Sequence, residues 1–226
     1  MKRARLIILA KAPVPGQVKS RLAASMGALA AARRYQRMLA EVALVTAATA
    51  SADRQVSVGL YFSPRRHPVL DRVCHHYGFT QHAQPSGSLG ARLKWIAHRE
   101  LACADALVMI GGDCVGLSPH HLHEAFARLN DGEDAVLAPA GDGGYTLIGL
   151  RVPERRLFLG IPWGGSDVLR CTCRQADRAG LRFSLLPTAS DLDTVADLKR
   201  WRRGAGANVA WRPRAIPAYD ARTRPR

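Results

Sequence analysis

The sequence predicts an α/β protein: a mostly parallel sheet covered by helices on both faces, with one antiparallel strand. Three observations lead there. Short apolar runs alternate with segments of helical period through most of the chain. The alternation breaks once, at residues 140–150, where a strand follows a strand across Gly141-Asp142-Gly143-Gly144. The length, 226 residues, suits one α/β domain with a sizeable core.

The elements follow in order. Ala4 to Ala10 is apolar and reads as a buried strand. Leu29 to Ala50 is Ala-rich, with apolar residues at helical spacing. Gln55 to Phe62 alternates and is rich in β-formers, hence a second strand. Pro68 to Tyr77 reads as a short helix and Phe79 to His82 as a short strand. Leu89 to Ala102 is a helix entered from the glycine-bearing segment PSGSLG. Ala106 to Ile110 is a third apolar run, ended by GGDCVGLSP. Ser118-Pro119 supplies a cap and a first-turn proline for a helix reaching Asn130. Asp134 to Pro139 and Tyr145 to Leu150 are strands. Asp167 to Ala179 is a helix, Arg182 to Leu186 a strand and Val195 to Trp201 a last short helix.

Composition narrows the function classes. Hydrophobic residues make up 47% and charged residues 23%, as in ordinary globular proteins. No apolar run approaches the length of a membrane-spanning helix, and Leu6 to Ala10 is too short for a signal peptide. A cytoplasmic protein is expected. The five cysteines are odd in number and scattered, which favours reduced thiols. Cys171 and Cys173 lack a second pair at zinc-site spacing. The histidines His75, His76, His120, His121 and His123 read as surface residues, since helix neighbours point apart.

The net charge is +15, of which the stretch from Lys199 to Arg226, with nine basic residues and one acid, carries +8. One domain is expected over 1–203 and an irregular basic tail over 204–226. That tail is either a solvated end or an arm for an anionic partner. The body lacks the interleaved aromatic and basic residues of a nucleic-acid stacking surface, so nucleic-acid binding is a remote alternative.

Four segments can carry chemistry, each with a plainer reading beside it. In open α/β sheets, ligands collect beyond the carboxyl ends of the strands. After the first strand, Lys11, Lys19 and Arg21 flank Pro15 and Gly16, and backbone and cations there suit an anion. An ordinary basic turn fits equally well. Gly111-Gly112-Asp113 puts an acid at a strand end, placed either to hold Mg²⁺ or to cap a turn. Asp191-Leu192-Asp193-Thr194 offers a second metal carboxylate or a helix cap. Asp142 with Gly143, Gly144 and Tyr145, and Trp163-Gly164-Gly165-Ser166 downstream, form a hairpin turn or the seat of a small acceptor. Asp142 would then be a base or a positioning group.

Six segments appear in register: AKAPVPGQVKSRLA, GSLGARL, GGDCVGL, APAGDGGYTLIGL, IPWGGSDVL and DLDTVADL. Together they resemble the bacterial rSAM/selenodomain-associated transferase 1 family of the nucleotide-diphospho-sugar transferase superfamily, which is similar to 2-phospho-L-lactate guanylyltransferase. The resemblance spans residues 4 to 201. It implies a GT-A-like, Rossmann-type α/β/α sandwich. It implies a nucleotide, either a triphosphate or a nucleotide-sugar, held by Ala10, Lys11, Pro15 and Gly16, with Gly87, Ser88, Leu89, Gly90 and Arg92 near its base or sugar. Mg²⁺ or Mn²⁺ would sit on Asp113 and Asp193. Lys19 and Arg21 would neutralise developing charge, and Asp142 would act on the acceptor. Gly143, Gly144, Tyr145, Trp163, Gly165 and Ser166 would bind that acceptor. The chain departs from the family pattern at Val115, at Gly164-Gly165-Ser166 and at Val195-Ala196. The expected reaction is nucleotidyl transfer to a small phosphorylated or acidic acceptor, with glycosyl transfer from a nucleotide-sugar as the alternative.

Overall fold

In a computed structural model, residues 3–189 are described. The elements run β1 (Ala4–Lys11), α1 (Ser20–Met26), α2 (Ala28–Ala52), β2 (Val56–Ser63), α3 (Pro68–Tyr77), β3 (Thr80–Ala83), α4 (Leu89–Leu101), β4 (Ala106–Gly111), α5 (Pro119–Asn130), β5 (Ala135–Pro139), β6 (Tyr145–Leu150), a 3-10 turn (Arg155–Phe158), α6 (Val168–Arg178) and β7 (Phe183–Leu185). One sheet holds all seven strands in the order β3-β2-β1-β4-β6-β5-β7. Every pairing is parallel except those of β6, which runs against both β4 and β5. The expected mostly parallel sheet with one reversed strand is the sheet observed.

The sandwich follows from period-two burial in strands covered on both faces. Leu6, Ile8 and Ala10 of β1 and Ala106, Val108 and Ile110 of β4 pack under α2, α3 and α5. Their neighbours Ile7, Leu107 and Met109 join a second core with Leu93, Ile96, Leu157 and Ala176, beneath α4, the 3-10 turn and α6. Helix α2 buries Ala31, Tyr35, Met38, Leu39, Val42, Thr46 and Thr49, the recurrence of one helical face. Thr46 satisfies its hydroxyl on the Val42 and Ala43 carbonyls of the same helix.

Caps explain several boundaries. His67 accepts from the Val69 N–H at the start of α3, Pro68 follows, and Gly78 ends the helix at φ 69°. Ser118 and His121 form a reciprocal capping box on α5. His121 is thus half-buried and structural rather than a free surface residue. Its burial lowers its pKa, in keeping with a neutral ring that accepts from the Ser118 N–H. Helix α1 and the 3-10 turn have no counterpart among the sequence expectations, because both are shorter than a periodic signal can mark. The expected helix at Val195–Trp201, the acids Asp191 and Asp193, and the basic tail lie outside the described residues.

All five cysteines are free thiols. Among the described residues, no helix is long and apolar enough to cross a membrane.

One charged group is buried in the second layer. The Glu100 side chain, 6% exposed, lies 2.6 Å from Arg5 Nε on β1 and accepts the Tyr61 hydroxyl of β2. Burial first, then the Glu100 carboxylate, pushes the Tyr61 phenol pKa up. This cluster ties α4 to the two strands beneath it. Removing one partner of a buried pair leaves an uncompensated charge. Glu100→Ala is therefore expected to cost roughly 3 kcal/mol or more in urea unfolding, and Tyr61→Phe about 1 kcal/mol. Equal losses in the two variants would show that the Arg5–Glu100 pair adds nothing to the hydrogen bond.

Candidate active site

Strands β1 to β5 and β7 end on the same side of the sheet, and β6 begins there. Chain order reverses between β1 and β4: β2 and β3 lie on one side of β1, and β4 on the other. Such a switch point leaves a crevice outside the strand ends. Lys19 and Asp113 meet in it, Nζ to Oδ2 at 2.8 Å. The Lys19 side chain is 5% exposed and that of Asp113 34%.

The local fold explains this contact. Gly112 packs where a Cβ would press Leu39 and Ala10 at 3.2 to 3.3 Å, which brings the strand end down onto β1 and α2. Its N–H bonds the Leu9 carbonyl at 2.9 Å. Lys19 has φ 48°, ψ 52°, a left-handed conformation unusual for a residue with a side chain. Such an outlier persists where its surroundings over-determine it, and these sites are enriched in function. Between β1 and Lys19 the loop is braced by Ala12 N–H to Ser63 O at 2.7 Å and Gln17 N–H to Val14 O at 3.0 Å. Pro15 and Gly16 stand at its exposed tip, Gly16 at φ 82°, and Lys11 and Arg21 are exposed on either side. Beneath, the Tyr35 hydroxyl accepts the Lys11 N–H at 2.8 Å. Burial, and then the Asp113 charge, raise its pKa and keep it neutral.

Beside the ion pair opens a cleft of about 250 Å³. Its floor is Leu9 of β1, Met109 of β4 and Ile148 of β6. Leu89 and Leu93 of α4 form one wall; Tyr145, Trp163 and Val168 form the other. Asp113, Asp142, Gly144, Thr146 and Gly165 lie along its rim and sides.

Two close approaches set the walls. A Cβ on Gly90 would come 2.9 Å from the Phe158 carbonyl and would strike the Trp163 indole nitrogen. Gly90 therefore lets the indole lie against the first turn of α4, and the same ring meets Tyr145 edge-on at 6.3 Å. Gly143, at φ 87°, has the Ser166 backbone where its Cβ would be, and its carbonyl accepts the Leu169 N–H at 2.9 Å. The turn is closed by Asp142, whose Oδ1 accepts the Gly144 N–H at 2.9 Å. The β5–β6 turn is thereby docked on the start of α6.

The sequence candidates divide accordingly. Leu89, Asp113, Asp142, Gly144, Tyr145, Trp163 and Gly165 line the cleft. Lys19 borders it through Asp113. Gly90, Gly143 and Ser166 build the walls from behind. Ala10 is buried at the end of β1. Gly87 and Ser88 lie in the turn before α4, where Ser88 caps the helix by accepting the Ala91 N–H at 3.3 Å. Arg92 donates to the Gly87 carbonyl at 3.0 Å and to Gln84 at 3.3 Å, so it braces that turn. Asp193 lies outside the described residues. The described chain reaches residue 189 at the carboxyl end of β5, where the Ala189 N–H bonds the Pro139 carbonyl at 3.0 Å.

Sequence reasoning missed two kinds of residue. Leu93, Met109, Ile148 and Val168 line the cleft but carry no motif, because a cleft wall and a core face share one periodicity. Gln84 bridges the ends of β1 and β2 by donating to the Tyr61 carbonyl at 2.9 Å and the Ala10 carbonyl at 3.3 Å. No spacing rule marks a lone glutamine.

A family model described as an uncharacterized protein conserved in bacteria, DUF2064, matches residues 46–165. The chain belongs to this family. In structure it is similar to a candidate nucleotide-diphospho-sugar transferase from Desulfovibrio desulfuricans G20, with 28% identity, a TM-score of 0.79, and coverage of 92% of this chain and 90% of that one. It is also similar to a cytidylyltransferase from Leptospira borgpetersenii serovar Hardjo-bovis, with 11% identity, a TM-score of 0.57, and coverage of 93% and 89%. A 4-diphosphocytidyl-2C-methyl-D-erythritol synthase from Anaerococcus prevotii shows 10% identity, a TM-score of 0.55, and coverage of 91% and 99%. The last two likenesses concern the fold alone. Among curated proteins, none matches the chain significantly by sequence.

The glycine contacts generate a prediction. Gly90→Ala should displace the Trp163 ring and cost about 1–3 kcal/mol, the range for overpacking. Ser88→Ala, which removes a cap on the same turn, should cost about 1 kcal/mol and leave the ring in place. Trp163 fluorescence, read in a variant lacking the other three tryptophans, separates the two: an unmoved spectrum in Gly90→Ala would refute the close approach.

Proposed function

We propose that the protein is a nucleotide-dependent transferase that holds a nucleotide at the β1–β4 crevice and serves a small acceptor in the adjoining cleft. The favoured reaction is nucleotidyl transfer from a nucleoside triphosphate. The observation that carries the reading is the nearly buried Lys19 held on Asp113 at the switch point, directly beside a cleft that contains a second carboxylate, Asp142. The likeness to rSAM/selenodomain-associated transferases and to 2-phospho-L-lactate guanylyltransferase, carried by the six sequence motifs, belongs to this proposal.

Lys19 and the exposed Lys11 and Arg21 give the loop cations for phosphate oxygens. In the transfer, an acceptor oxygen forms a bond to the α-phosphorus while the bond to the oxygen bridging to the β-phosphate breaks. Pyrophosphate leaves with that electron pair. For a hydroxyl acceptor the proton passes to Asp142; an ionised acceptor has none to lose. Lys19 stabilises charge that grows on the phosphate oxygens.

The donor chemistry of Asp113 fits a divalent cation such as Mg²⁺ or Mn²⁺, which is commonly held by one or two carboxylates with substrate phosphates and water. Among the described residues there is no group of three histidines, cysteines or acids that would hold an ion without substrate. Asp113 would hold the cation, with Asp193 as the proposed second ligand. When bound, it would supply charge neutralisation at the phosphates.

Glycosyl transfer is the second reading. It is favoured by the 28% identity with the candidate nucleotide-diphospho-sugar transferase. There Asp142 would accept the proton of the attacking acceptor.

A thermal-shift panel of nucleoside triphosphates and nucleotide-sugars with Mg²⁺ tests both. Saturation at a hundredfold over Kd adds about 2.7 kcal/mol, or roughly 5–10 °C for a domain of this size. Asp113→Ala should abolish the metal-dependent part. Lys19→Met should weaken the nucleotide shift yet bind Mn²⁺ alone more tightly, read by calorimetry. Shifts with nucleotide-sugars and with no triphosphate would replace nucleotidyl by glycosyl transfer. No metal-dependent shift with any nucleotide would end both readings.

A further inference from the structure

The charges of the cleft bear on what it accepts. Among the described residues its lining includes two carboxylates, Asp113 and Asp142, and no lysine, arginine or histidine. A third acid, Asp167, stands at the start of α6 and pairs with Arg170 at 2.8 Å, outside the lining. At the start of α6 the Leu169 N–H is bonded to the Gly143 carbonyl at 2.9 Å. Lys19 is committed to Asp113. With Asp113 balanced by Lys19, an acceptor phosphate or carboxylate deep in the cleft would face the Asp142 carboxylate and an apolar wall, with no basic side chain among the described lining residues.

The walls suit something else. Leu93, Met109, Ile148, Tyr145, Trp163 and Val168 enclose the inner part of the cleft. The two rings are fixed edge-to-face, and the indole is seated by Gly90, so this surface is preformed. Asp142, at the mouth, keeps its second carboxylate oxygen clear of the turn bond made by Oδ1.

We propose that the acceptor is an uncharged hydroxyl compound with an apolar body, seated between Trp163 and Leu93 with its hydroxyl at Asp142. This rests on the transferase reading and differs from the phosphorylated or acidic acceptor expected from the sequence. It gives Asp142 a proton to take: the hydroxyl oxygen bonds to the donor's electrophilic atom, the donor's nucleoside diphosphate or pyrophosphate departs with the bonding pair, and the proton goes to the carboxylate. Trp163 and Leu93 are specificity-determining residues, and neither takes part in the bond changes.

The test uses the full chain and two probes of one shape, benzyl alcohol and benzyl phosphate, with binding followed by saturation-transfer NMR and titration. Benzyl alcohol is expected to bind at least tenfold more tightly than benzyl phosphate. Trp163→Ala should weaken it at least fivefold; Leu93→Ala, a milder change on the opposite wall, should weaken it as well and serves where the first variant fails to fold. Asp142→Asn should leave the alcohol bound and improve binding of the phosphate. Preference for benzyl phosphate, or unchanged alcohol affinity in both wall variants, overturns the proposal. The nucleotide thermal shift is measured on the same samples. Its loss with alcohol binding intact removes the transferase reading and leaves the apolar site; its presence with phosphate preferred removes the acceptor class alone.

Discussion

Both faces of the central strands are covered, and this confines all polar chemistry to their ends. Leu6, Ile7, Ile8, Leu107, Val108 and Met109 of β1 and β4 are almost wholly excluded from solvent. A charge along that stretch would be desolvated with no partner. Chain polarity then decides which end is used. With β1 to β5 other than β6 aligned, the loops after β1 and β4 emerge on one side, and the sheet's change of direction leaves room between them. Lys19 and Asp113 occupy that room because the fold offers few other places for a buried cation and a half-exposed acid to meet.

Reversal of β6 shapes the second half of the site. Had β6 been parallel, a helical crossover would have filled the space in front of the sheet. Instead a short turn joins β5 to β6, and the segment after β6 returns over the second layer through the 3-10 turn to Trp163. The cleft is the gap between that return and α4. Two glycines without room for a side chain hold its borders: Gly90 against the indole and Gly143 against the Ser166 backbone. Hydrophobic contact alone would let these segments settle at several distances. Hard contact at a missing Cβ allows one.

Much of this was legible before any coordinates. Ser118-Pro119 marked the start of α5 because a cap and a fixed φ act locally. The Gly141–Gly144 turn marked the reversed strand, since a turn of that length cannot connect parallel neighbours. Asp113 stood out as an acid at a strand end and Asp142 as one in a tight glycine turn, and both line the cleft. What stayed hidden depends on tertiary distance. Gly143 and Ser166 come from two separate motifs, and only the fold shows that their backbones meet. That Arg92 braces the turn from Gln84 to Gly87 is a tertiary contact that no spacing shows. Met109 and Ile148 belong to plain apolar runs, and no pattern tells that one end of such a run is the floor of a cleft.

Charge balance at the crevice gives the proposed chemistry an order. Lys19 and Asp113 neutralise each other at 2.8 Å, with the lysine nearly removed from water. Breaking such a pair from one side only leaves the other group desolvated and unpaired, the costly outcome. An anion that draws Lys19 away exposes Asp113 to that penalty, and a cation that draws Asp113 away does the same to Lys19. A ligand carrying both charges exchanges one neutral arrangement for another. The left-handed backbone at Lys19 adds a reason for the exchange to be local, since relaxing one residue's φ and ψ moves the ammonium without disturbing the strands behind it. On the proposed reading, the pair disfavours free nucleotide and free metal alike, and the complex of the two is the species the crevice is built to admit.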